Sequence, residues 1–271
     1  MCGGFWRGIL LAALTVPALT VAAVAAAGDG ARPELAVPFT AAEPALDAAT
    51  GDPVWRRAAV IGQFSPPLAM TFAAPPQNTR VLALWTKQDL FLRFECAGAP
   101  VNILPEAPLL PAAPPPRDLQ YFKGDCVEVF LDPVGDAREY IELQFNPGHG
   151  VFDGVYLFTS SVESDARGMV RGDLIARECW FFKEWDLAGL RNAATVSADG
   201  WRVTVALPAA ALLQRRGLKE FSAGLRLRAN FVRFDYAAGA GHPPVITNWA
   251  RVVEGRAHRS PQAAGTLTLV D

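Results

Sequence analysis

An all-β fold, a single antiparallel β-sandwich of the jelly-roll or immunoglobulin-like kind with almost no helix, is what this sequence predicts. Three observations lead to it. About a dozen short runs alternate apolar with polar residues and are bounded by turn-forming residues. Only Ala209–Gln214 suits a helix, for one or two turns after Pro208. The clearest two runs, Gly124 to Pro133 and Tyr140 to Asn146, flank a turn supplied by Pro133, Gly135 and Asp136 and read as a β-hairpin.

Taken in order, the chain begins with an export signal over residues 1–27. Arg7 precedes an apolar run from Gly8 to Val24, and Ala25-Ala26-Ala27 forms a small-residue cleavage pattern. No later run approaches the roughly 20 apolar residues of a membrane-spanning helix. Residues 28–45, rich in Pro and Ala, read as an extended lead-in, and residues 46–271 as one β-sandwich domain. Asp47 to Val54 is a turn-forming cluster ahead of a core aromatic, Trp55. Strands are predicted at Leu68–Phe72, Arg80–Trp85 and Leu90–Cys96, with Lys87-Gln88-Asp89 as a hairpin turn.

From Ala97 to Tyr121 the chain is dominated by proline, which lacks a donor and breaks regular hydrogen bonding. A loop this long either serves a site or is a plain surface insertion. After the central hairpin come a strand at Val151–Phe158, a short hairpin at Gly168–Arg177 and an aromatic-rich stretch from Trp180 to Trp185. Strands at Gly200–Pro208, Leu225–Phe234, Val245–Trp249 and Thr266–Val270 complete the fold.

Composition excludes several function classes. A formal charge of −2 and the lack of any Lys/Arg run leave no basic surface for nucleic acid. Export implies an oxidising periplasmic or extracellular compartment. There, Cys96, Cys126 and Cys179 permit one disulfide, and Cys96 with Cys126 is open to two readings, a bridge or two buried thiols.

Alternation in the central hairpin places Val127, Val129 and Leu131 with Ile141, Leu143 and Phe145 on a core face. The opposite face carries Glu128, Tyr140, Glu142, Gln144 and Asn146, a row of acid, amide and phenol groups suited to gripping a polar ligand. On the later strand Arg226, Arg228 and Asn230 alternate with Leu225, Leu227, Ala229 and Phe231. Glu128 and Glu142 are expected to face each other across the hairpin, with Arg228 as the cation between them.

The ordered series Gly51-Asp52-Pro53-Val54-Trp55, Gly124 to Asp132, Gln144-Phe145-Asn146, Gly200-Trp201 to Pro208, and His258-Arg259-Ser260-Pro261 before Gly265-Thr266-Leu267 resembles family 9 carbohydrate-binding modules. The resemblance spans nearly all of the chain after residue 27. It implies a β-sandwich without catalysis of its own, of a kind commonly joined to secreted glycan-degrading enzymes. It further implies a sugar clamped between two Trp rings, at positions occupied here by Phe122 and His258. Glu128, Glu142, Gln144, Asn146, Arg228 and Asn230 fall at the family's sugar-contacting positions, with Tyr121 and Trp249 as second-tier candidates.

Function is therefore expected to be exported carbohydrate binding that assists polysaccharide degradation, with an oligo- or polysaccharide as ligand and a glycan-degrading enzyme as partner. No nucleophile elbow or Ser/His/Asp motif is visible, and a facing Glu pair sits too close to flank a scissile bond. Two alternatives come from other classes. One is a haem b subunit of an oxidoreductase, with Met70, Met169, His149, His242 or His258 as axial ligands. The other is a surface or interaction protein that has lost the sugar. Structural calcium at Asp132, Asp136 or Asp153 is conceivable without an assigned site, because these are also ordinary turn residues.

Overall fold

The computed structural model describes residues 32–46, 51–72, 76–109, 117–158, 179–239, 241–252 and 257–271. The predicted export signal, the predicted hairpin at 168–177 and Met169 lie outside these. The strands are β1 (Glu34–Pro38), β2 (Ala59–Ile61), β3 (Thr79–Trp85), β4 (Asp89–Ala97), β5 (Cys126–Asp132), β6 (Glu139–Phe145) and β7 (Val151–Phe158). They continue with β8 (Cys179–Phe182), β9 (Arg191–Ser197), β10 (Gly200–Pro208), β11 (Arg226–Asp235), β12 (Val245–Asn248) and β13 (Gly265–Val270). One turn of helix, α1 (Ala209–Leu212), follows β10. Among the described residues no helix is long and apolar enough to cross a membrane.

Two sheets pack as a sandwich. The larger runs β1-β13-β11-β5-β6-β7-β8, with β12 also on β11, and the smaller runs β2-β3-β4-β10-β9. Ladders between the named strands are antiparallel except β1 on β13, which is parallel. The six apolar residues of the central hairpin named above enter the core between the sheets, where they meet Val81, Leu92, Phe94, Val203 and Val205 from the smaller sheet. Burying one face of each sheet in this way is what fixes strand register, since a one-residue slip would turn every core side chain outward.

Several expectations change. Residues 68–72 form a turn and coil, not a strand. Within the lead-in, Glu34–Pro38 is β1, so the sandwich begins before residue 46. Strands β2 and β9 have no counterpart in the sequence reading; β9 is an edge strand of small and polar residues, most of them half-buried. Asp52 caps the 3-10 turn at Pro53–Arg57 by accepting from the Val54 N–H at 2.9 Å, and Trp55 is buried on the outer face of the smaller sheet.

Cys96 and Cys126 are buried free thiols. The bridge is excluded by direction: Cys96 enters the inter-sheet core, whereas Cys126 lies among Tyr121, Phe152 and Ala107 on the other side of the larger sheet. Burial pushes the Cys96 thiol up to about 12, so it stays protonated and unreactive.

Position 233 sits in register with the core-facing residues of β11, and the structure places an arginine there, 1% exposed. Its guanidinium donates to the backbone oxygens of Asn78 (3.2 Å) and Ala97 (2.8 Å) and to Thr79 Oγ1 (3.3 Å). It also pairs with Asp235 at 3.5 Å and lies over the Trp201 ring. This side chain ties the larger sheet to the β3 and β4 ends of the smaller one.

Candidate functional site

The outer face of the larger sheet bears a cleft of about 610 Å³. Its floor is Glu142 and Gln144 from β6 with Phe152 and Tyr156 from β7; Phe122 and His258 stand on its walls with Phe181 from β8. The proline-rich segment contributes Leu104, Glu106 and Asp118 to Gln120, so this loop walls the cleft. Of the sequence candidates, Phe122, Glu142, Gln144 and His258 are thus brought together.

The floor is held in place by hydrogen bonds. Gln144, 2% exposed, donates from Nε2 to Glu142 Oε1 at 2.7 Å and accepts the Phe122 N–H on Oε1 at 3.2 Å. Phe122 is fixed again by the Tyr236 hydroxyl, which donates to its carbonyl at 2.9 Å. Tyr156 hydrogen-bonds the Glu142 carboxyl and stacks on Phe181 (centroids 4.3 Å apart) and on His258 (5.6 Å). Gly154, opposite Glu142 in the ladder, lets Phe181 lie against β7, because a Cβ there would overlap the Phe181 ring.

Glu128 and Glu142 do not face each other directly. Glu128 is opposite Gln144, and Glu142 is opposite Phe130, so the two carboxyls are diagonal neighbours. Both are 5% exposed. Burial, and then the charge of Glu142, holds Glu128 well above the usual carboxylate range. Burial also raises Glu142, against the hydrogen bonds from Gln144 and Tyr156. Arg228 is not between them. It lies opposite Asp132, four residues along β11 from the Val232 that pairs with Glu128, and donates to the carbonyls of Gln262, Ala264 and Gly265.

The other candidates are also placed elsewhere. Asn146 turns the chain into β7 by accepting the Gly150 N–H at 2.6 Å. Asn230, fully buried, clasps Ala250 by donating to its carbonyl and accepting its N–H, each at 2.8 Å. Tyr121 is buried beneath the loop, with burial pushing its phenol up to about 12. Trp249 packs on Phe231 of the inter-sheet core. Sequence reasoning passed over Tyr156, Phe152 and Phe181; alternation from Val151 puts the first two on the same face as Glu142.

Of the haem-ligand candidates among the described residues, only His258 lines the cleft. His149 sits in the β6–β7 turn with Nδ1 accepting the Ala194 N–H, His242 is exposed, and Met70 follows a turn. The calcium candidates are scattered: Asp132 accepts N–H groups of Val134, Gly135 and Ala137 in its own turn, and Asp136 pairs with Arg215. Asp153 lies within 4.8 Å of Asp118 and Asp186, but Arg117 already donates to Asp153 and Asp186 and supplies their counter-charge.

The raised Glu128 value carries a stability consequence. A carboxyl that binds its proton more tightly when folded favours the native state fully below the unfolded Glu value of about 4.3, and that contribution declines as pH rises toward the folded value. Glu128→Gln should therefore flatten the fall in stability as pH rises above about 4.3, and be more stable than the parent at the upper end of that fall. Urea unfolding across that range checks this; parallel pH profiles for the two proteins would refute it.

By sequence the chain matches no family model and no curated protein. By structure it has the sandwich fold of carbohydrate-binding modules. A family 9 module from Caldicellulosiruptor kristjanssonii, solved with cellotriose, superposes with a TM-score of 0.52 at 17% identity over 88% of this chain and 93% of that one. The same kind of module solved with glucose gives 0.52 at 17%, over 87% and 95%. A proposed carbohydrate-binding protein from Bacteroides uniformis gives 0.62 at 14%, over 88% and 100%.

Proposed function

We propose that this protein is an exported, non-catalytic carbohydrate-binding protein that takes an oligo- or polysaccharide in the cleft on the outer face of its larger sheet. One observation carries the reading: a preorganised polar floor of Glu142, Gln144 and Tyr156 lies between the rings Phe122, Phe181 and His258. A pyranose offers paired hydroxyls at its edge and apolar C–H faces, and the carboxylate, amide and phenol match the former while the rings match the latter. The cellotriose and glucose held by the module of like fold favour a glucan.

Catalysis is not part of this reading. Glu128 and Glu142 project from neighbouring strands on the same side of one sheet, whereas glycoside hydrolysis needs carboxyls flanking the scissile bond. After loss of residues 1–27 the protein acts in the periplasm or outside the cell, beside a glycan-degrading enzyme whose polysaccharide it holds. Titration calorimetry with cello- and xylo-oligosaccharides, preceded by a glycan array, tests the site. Tyr156→Ala should weaken binding at least about tenfold, removing both a stacked ring and a hydrogen bond to the floor. A silent array with demonstrably folded protein would end this reading.

A further inference from the structure

We propose that the preferred saccharide carries an amine, whose ammonium neutralises the buried Glu128–Glu142 pair. The inference rests on the saccharide-binding reading and adds the ligand's chemical class. Both carboxyls are nineteen-twentieths buried on the face that forms the cleft, and Glu142 lies on its floor. Glu142 receives Gln144 Nε2 and the Tyr156 hydroxyl, both neutral donors. Glu128 receives no hydrogen bond from any described residue.

The cation with the sequence position to balance them, Arg228, spends its guanidinium on three backbone carbonyls around residue 264. Among the described residues, no Lys or Arg favours the charged form of either carboxyl. The rim does not compensate: Glu106 and Asp118 are matched by Lys123 and Lys183, and Lys183 leans toward Glu184 at 3.5 Å. One shared proton still leaves a negative charge in a desolvated pair that no described Lys or Arg balances. An open cleft leads to that charge. A neutral sugar would leave it uncompensated, whereas an ammonium in the cleft forms a charge-assisted hydrogen bond with Glu142 and offsets the charge of Glu128 beside it.

Calorimetry at neutral pH on the intact protein tests this with cellotriose, the glucosamine trimer, the N-acetylglucosamine trimer, and 2-amino- and 6-aminoglucose against glucose. An amine-bearing sugar should bind about tenfold tighter than its hydroxyl counterpart, and acetylation should abolish the gain. Glu142→Gln, isosteric and relieved of a buried charge, should keep its fold and reduce that ratio to near one. Equal or weaker binding of every amine overturns the inference and leaves the saccharide reading standing; binding of no sugar of either kind overturns both.

Discussion

Arg233→Ala is expected to destabilise the protein by about 3–5 kcal/mol, on the order of 10 °C in melting temperature for a domain of this size. The arginine is 1% exposed and reaches carbonyls at the start of β3 and the end of β4, so its loss unties the sheets at one end of the sandwich. It also leaves Asp235 buried without this ion-pair partner, and the Asp235 carboxyl is already raised by burial even with Arg233 present. Adding Asp235→Asn to the alanine variant should recover part of the loss by removing the orphaned charge. Thermal unfolding of the single and double variants decides it; a single variant as stable as the parent would show that the guanidinium is not a strut.

Gln144→Ala is expected to weaken saccharide binding on the order of thirtyfold, with a stability loss of only about 1–2 kcal/mol. Three things depend on this one amide: the orientation of Glu142, the backbone of Phe122 and part of the cleft floor. Removing it frees the wall residue and strips Glu142 of a donor at once. Gln144→Glu separates geometry from charge, since it keeps the acceptor for Phe122 but adds a third carboxyl beside two already disfavoured ones. Calorimetry with the best array ligand gives the binding change, and urea unfolding gives the stability change. Unaltered affinity in the alanine variant would place the sugar elsewhere.

The central hairpin was legible because both of its strands alternate cleanly, which fixes at once the core face and the polar face. The same periodicity explains the errors. A period of two states which side of a sheet a residue occupies and nothing about lateral position, so Arg228 and Asn230 share a face with Glu128 yet serve other loops. Distance along a strand, at about 3.4 Å per residue, carried Arg228 out of reach of Glu128. Likewise the diagonal offset of the two glutamates is set by the length of the turn after Asp132, which composition does not reveal. Strand β9 was illegible because an edge strand of Ala, Thr and Asn buries too little to impose a pattern. Phe181 was out of reach for another reason: it joins the cleft only because Gly154 leaves room on a strand that is distant in sequence.

The parallel pairing of β1 with β13 sets how this molecule is assembled in time. Glu34 lies against Thr266 and Pro38 against Val270, so the first described strand finds its partner only when the last has been made. The Val270 carbonyl then accepts both the Phe39 N–H at 2.8 Å and the Trp85 indole N–H at 3.0 Å, which latches the second sheet to the same residue. Contacts of such sequence separation must overcome their loop-closure entropy before they give any return, and they slow folding accordingly. Until β13 has been made and paired, β1 consequently has no place in the larger sheet.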